Sequence, residues 1–235
     1  MAEWVPYVVI GCIILFLIIS IATSRSRIRR IYRRYMNMPN SVDLTGKEYA
    51  FILKKHLKLE DLNFALSHGE LTDAYNSKTK TLILSEGVCN TASIASIAIV
   101  SHEIGHAVQD KKKSTLLFLT GIFRRVAKLT NKLVIPLLLV SLLCFLTPEL
   151  DPEIALSFLY VGAIFFILHI FNLLLNIPLE LNASQIALKF LKKNKILKES
   201  EYERVKYLLK VALQTYIASF FDEIIFFGFK RRNWW

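Results

Sequence analysis

The chain has 235 residues, 54% of them hydrophobic and 21% charged, with a mean hydropathy of +0.41. An apolar share above the roughly 45–50% of soluble domains, gathered in a few long runs, excludes a disordered, fibrous or disulfide-framework protein. Lys+Arg 30 against Asp+Glu 19 gives a net charge of +11. Zinc-finger spacing, RNP-type motifs and glycine-rich phosphate loops are all lacking, so the charge reads as positive loops at the cytoplasmic face of a membrane and not as nucleic-acid binding. Cys12, Cys89 and Cys144 are odd in number and far apart, and read as small apolar residues, not as disulfides or a thiolate metal site.

The first apolar run, residues 4–23, carries no charge and is long enough to span a bilayer. It lacks a basic region ahead of it and a small-residue cleavage pattern, so an uncleaved anchor is expected over residues 1–24. Arg25, Arg27, Arg29, Arg30, Arg33 and Arg34 follow at once. They put the N-terminus outside and the next segment inside, as a basic helix with a solvated positive face near anionic lipid.

Residues 25–126 then form the expected inner-side catalytic region. A helix is predicted from Thr45, its candidate N-cap, to about Leu57. Turn-rich residues 71–79 lead into a stretch of strand composition, residues 80–84. A second helix is predicted from Asn90 or Thr91, with Ile94, Ile97, Ala98 and Ile104 at helical spacing, ending in His102-Glu103-Ile104-Gly105-His106. Histidines four apart project from one helix face, so both imidazoles can reach one zinc ion. Glu103, rotated by about 100°, is placed to act as general base. Gly105 costs about 1 kcal/mol against alanine inside a helix, and a close approach of another element there would explain it.

A transmembrane hairpin is expected over residues 127–177, built on the apolar runs 133–146 and 154–177. The acidic, proline-containing turn between them fits the outer side. Lys128 and Lys132 before the pair, and Lys189, Lys192, Lys193 and Lys195 after it, fit the inner side. The hairpin therefore returns the chain to the face that holds the two histidines. In the segment 178–204 that follows, Glu180 is the first carboxylate and the candidate third ligand, with Pro178 suited to the first turn of a new helix. His56 and His68 lie in polar stretches and His169 in a transmembrane run, which makes them poor ligand candidates. The last region, residues 205–235, is an apolar helix carrying Asp222 and Glu223. It either spans, tilted against the others, or lies on the inner surface.

Leu71-Thr72-Asp73-Ala74-Tyr75, residues 79–86, His102 to His106 with Gln109, and Pro178-Leu179-Glu180-Leu181-Asn182-Ala183-Ser184 together resemble the YugP-like neutral zinc metallopeptidases of bacterial membranes. The resemblance implies a membrane-bound, glutamate-zincin type of enzyme with Glu180 as third metal ligand. The last block is also similar to a segment of HtpX-like membrane proteases. Asn76-Ser77, Leu181 and Gln185 depart from the family pattern without removing a proposed ligand or base.

The resulting expectation is a mainly α, multi-pass membrane protein with a zincin-like catalytic helix, a small strand element and a transmembrane hairpin. One Zn2+ per chain sits on His102, His106 and Glu180, and Glu103 activates the water that hydrolyses a peptide or membrane-protein substrate at the cytoplasmic side. Residues 81–84 either bind an extended substrate as an added strand or form a structural edge. Asp73 is a guess for a carboxylate orienting a ligand histidine, kept outside the ligand set. An intramembrane protease is disfavoured, because about fifteen residues between Glu86 and His102 cannot supply a span. The alternative from another class is a non-catalytic zinc-binding membrane adaptor or chaperone-like protein, for which Glu103 would be dispensable.

Overall fold

The computed structural model describes residues 5–225. Helix α1 (Val5–Met36) runs without a break from the expected anchor into the basic stretch. Trp4 and many anchor side chains lie outside the described residues, as do residues 226–235 at the end of the last apolar run. From residue 28 onward α1 is amphipathic. Ile28, Tyr32 and Tyr35 are buried along one stripe, while Arg29, Arg30, Arg33 and Arg34 are exposed. The basic stretch is thus a core element as well as a positive face.

Helix α2 (Gly46–His56) starts as expected. The Thr45 hydroxyl accepts the Glu48 N–H at 3.3 Å, and the Glu48 carboxylate accepts the Thr45 N–H at 2.9 Å, a reciprocal cap. Strands β1 (Asn63–Ser67), β2 (Ala74–Asn76) and β3 (Thr81–Ser85) form one sheet in the order β1-β3-β2, with β1 parallel and β2 antiparallel to β3. The strand legible in the sequence is therefore the central one, burying Leu82 and Leu84. Both of its edges are already paired, so it is neither a structural edge nor able to accept a substrate strand. The free edges belong to β1 and β2.

Two helices replace the single one expected from residue 90. Helix α3 (Glu86–Asn90) ends where α4 was expected to begin, and α4 (Ile94–Lys111) is capped by Ser93, whose hydroxyl accepts the Ser96 N–H at 3.0 Å. The break has a partner. The Asn40 N–H donates to the Ala92 carbonyl at 3.2 Å and the Ile94 N–H to the Met38 carbonyl at 2.9 Å, so the α1–α2 connection takes up backbone groups a continuous helix would have used internally.

Helices α5 (Thr115–Leu146) and α6 (Pro152–Lys193) form the antiparallel hairpin, with Asp151 capping α6 and Pro152 in its first turn. Helix α5 starts well before the expected residue 127. At about 1.5 Å per residue, their 32 and 42 residues extend well past a hydrocarbon core of about 30 Å. Leu139, Leu143, Leu146, Tyr160, Ile164 and Ile167 are exposed, and 17% of each helix's most apolar stretch is buried. A core helix of a water-soluble domain would bury that surface. These two helices have the length, composition and outward apolar face needed to cross a membrane.

Helix α7 (Glu199–Ile225) docks its first half into the core through Val205, Leu208, Leu209 and Val211. The Glu201 carboxylate accepts the Ser41 N–H at 2.8 Å and ties α7 to the α1–α2 connection. The core therefore gathers the basic half of α1, α2, β3, α3, α4, the end of α6 and the start of α7.

Gly105 explains how closely α4 and α6 meet. A Cβ on it would lie 2.5 Å from the Ala183 carbonyl oxygen and 3.1 Å from its carbon, both backbone atoms that cannot rotate away. Gly105→Ala is expected to push α4 from α6, lowering stability by about 1–3 kcal/mol and zinc affinity by about tenfold or more. Thermal unfolding and a zinc competition titration check this; wild-type values in both would show that the contact yields freely.

Candidate metal centre

Helix α4 carries His102, Glu103 and His106, and α6 crosses it at Gly105 with Glu180 one turn from Ser184. The structure brings His102, His106 and Glu180 together, with one potential ligand atom from each lying within 4.8 Å of the others. Glu180 Oε2 is 3.1 Å from His102 Nε2 and 3.4 Å from His106 Nε2. Donor atoms around a tetrahedral zinc with bonds of about 2.0–2.2 Å lie roughly 3.3–3.6 Å apart, close to the two spacings from Glu180 to the histidines. Two imidazoles and a carboxylate are also a donor set suited to zinc.

Both outer nitrogens have partners, and that of His106 fixes its tautomer. His106 Nδ1 is 2.9 Å from Gln109 Oε1. The Gln109 amide nitrogen donates to the Leu179 carbonyl at 3.0 Å and to Asn182 Oδ1 at 2.9 Å, which settles which end of the amide faces the histidine. His106 must therefore carry a proton on Nδ1, so its neutral form presents the Nε2 lone pair to a cation. His102 Nδ1 lies 3.1 Å from Ser184 Oγ, a hydroxyl that can accept a hydrogen bond from this nitrogen or donate one to it. Burial pushes the His106 imidazole down in pKa. Hydrogen bonding and charge from Glu180, with Glu103 and Gln109 adding, outweigh this and lift it to about 9, so the cluster favours positive charge at its centre.

A cavity of about 400 Å³ opens beside the cluster, with Glu103, Asp73, Tyr75, Arg124 and Tyr216 in its wall. Glu103 is nearly buried. Asp73 does not orient a histidine. Its carboxylate accepts the Ser85 N–H at 2.6 Å and the Ser85 hydroxyl at 3.2 Å, joining the β1–β2 connection to the start of α3. Burial raises its carboxyl to about 6, against the lowering pull of the Ser85 backbone bond, and the charge of Glu103 adds to the rise. The three other histidines stay apart. His56 packs edge-on to Phe190, His68 pairs with Glu86 at 2.9 Å, and His169 is buried within the hairpin.

Pro178 does not open a helix. It lies inside α6, which continues through the expected boundary at residue 178, so Glu180 belongs to the second hairpin helix itself. The sequence reading assigned no role to Ser184, Asn182 or Tyr216. Gln109 and Ser184 carried a local signal, one turn beyond His106 and Glu180 respectively; Tyr216 carried none.

The family model described as "Putative neutral zinc metallopeptidase" matches residues 8–227. The chain is also 28% identical over 211 residues to "Putative membrane protease YugP" of Bacillus subtilis (strain 168), covering 87% of this chain and 90% of that protein. No solved structure matches this chain. A match of that extent, over both the histidine helix and the apolar hairpin, means that the chain belongs to the neutral zinc metallopeptidase family.

Proposed function

We propose that the chain is a multi-pass membrane zinc metallopeptidase, with His102, His106 and Glu180 holding one zinc ion and Glu103 as general base. The observation that carries this reading is the convergence of Glu180 Oε2 on the Nε2 atoms of both histidines. Bound zinc supplies Lewis acidity, polarising the peptide carbonyl and making water acidic enough to ionise near neutral pH. Glu103 takes the proton of the attacking water and delivers it to the departing amine. Gln109 holds the His106 ring in the required tautomer, and Ser184 orients the His102 ring.

The cavity beside Glu103 favours catalysis over a structural role, since a zinc adaptor needs a closed coordination shell and no adjoining substrate space. Ala74 and Tyr75 of β2 line that cavity, and β2 has a free edge, so an extended substrate can pair there as an added strand. The chain in liposomes should hydrolyse casein or a membrane peptide, lose this activity to a chelator and regain it with zinc. A zinc-loaded protein without hydrolysis would leave the adaptor reading standing.

The same proposal puts the metal centre on the cytoplasmic side, because the arginines of α1 and the lysines and arginines of α5 and α6 lie at the end of the hairpin away from its acidic turn. With Cys12, Cys89 and Cys144 removed, Leu150→Cys should react with an impermeant reagent on intact cells. Lys112→Cys and Lys193→Cys should react only after permeabilisation; the opposite pattern would invert the topology.

A further inference from the structure

Peptide hydrolysis builds negative charge on the carbonyl oxygen, and a preorganised hydrogen-bond donor there is worth about 10²–10³ in rate. The two carboxylates at the centre, Glu103 and Glu180, are acceptors when ionised and cannot meet that need. Three tyrosines line the cavity among the described residues. Tyr75 donates its hydroxyl to Asp110 at 2.6 Å, and the Tyr32 hydroxyl is bonded to Ser85. Tyr216 is different: it sits on α7, which packs on both α4 and α6, and it lines the same cavity as Glu180 and the two histidines.

We propose that the Tyr216 hydroxyl is a catalytic hydrogen-bond donor to the carbonyl oxygen of the peptide bond being cut. This rests on the peptidase reading. A phenol hydroxyl keeps its proton at neutral pH and can donate it in a hydrogen bond. Arg124, the nearby cation, is held 3.1 Å from the Asn176 side-chain oxygen at the wall of the cavity. With Glu180 holding a cation, the Tyr216 hydroxyl would be placed to donate to a substrate oxygen at the same centre. No proton leaves Tyr216 in this role; its hydrogen bond shortens as the oxygen gains charge and relaxes as the amine departs. Helix α7 would thereby complete the site, giving the last apolar run a chemical part as well as a packing one.

Tyr216→Phe in the full chain, loaded with zinc, removes the donor and keeps the ring. The expected result is a fall in kcat of about 10²–10³, with KM and zinc content within twofold of wild type. The affinity for a phosphinic peptide, which mimics the charged tetrahedral oxygen, should fall by a similar factor when measured by calorimetry. Affinity for an uncleaved peptide, measured in the Glu103→Gln background, should not change. A loss of zinc content that accounts for the loss of rate would overturn the proposal and make Tyr216 a positioning residue for Glu180. Wild-type kcat in Tyr216→Phe, or unchanged phosphinic peptide affinity, would overturn it as well. Absence of hydrolysis by the wild-type chain would defeat the peptidase reading on which it stands, an outcome distinct from these.

Discussion

Glu103→Gln is expected to bind zinc at the wild-type level and to lose peptide cleavage by at least about 10²–10⁴-fold, or roughly 2.7–5.4 kcal/mol of barrier. The substitution is nearly isosteric and leaves His102, His106 and Glu180 in place. What disappears is the acceptor for the water proton. Glu103 points into the cavity while the residues on either side of it are buried or belong to the cluster, so no other carboxylate on α4 lies within the cavity wall to take over. Zinc content by elemental analysis, beside a turnover assay on the same sample, separates the two effects. Retention of most of the activity would sink the enzymatic mechanism even with zinc bound. Full activity loss accompanied by loss of zinc would instead make Glu103 part of the metal-holding structure.

Glu180→Ala should act by a different route, lowering zinc affinity and activity together. Removing an outer partner of a metal ligand typically costs about 10–100-fold in affinity, and removing a ligand should exceed that. Glu180 is buried, and its Oε2 faces both Nε2 atoms, so an alanine leaves two imidazoles with no oxygen donor between them. Glu199→Ala is the control: that residue is exposed in the first turn of α7 and should be neutral. Full zinc occupancy in Glu180→Ala would leave the third ligand unassigned.

The pairing of His102 and His106 was legible because it depends on helical spacing alone, and both lie on a helix whichever residue caps it. Glu180 was reached through a topological argument, the return of the hairpin to one face. Its local setting was misjudged, because proline suits a helix start so well that Pro178 suggested a boundary inside an unbroken helix. Strands β1 and β2 left little trace. They are five and three residues long and mostly exposed, without the apolar alternation that marks β3. The break before α4 was hidden because Asn90, Thr91 and Ser93 are all good caps, and the choice among them is made by backbone pairing with residues 38–40. Tyr216 had no signal at all: one tyrosine on an apolar helix reaches the cluster only through the docking of α7 on α4 and α6.

Helix α6 carries Glu180 on the same rigid rod whose other end rises from the acidic turn at Asp151. Its partners at the cluster, His102 and His106, sit on α4, which is anchored in the polar-side core through Ile94, Ile97 and Ile104. One side of the cluster is therefore carried by the apolar hairpin and the other by the histidine helix. A helix longer than the local hydrocarbon layer tilts to match it, but the close approach of Gly105 to Ala183, with Ala187 and Leu191 in the core, holds the Glu180 end of α6 against α4. On the proposed membrane reading, a change in lipid thickness would therefore tilt α4 and α6 together and leave the spacing of the cluster unchanged.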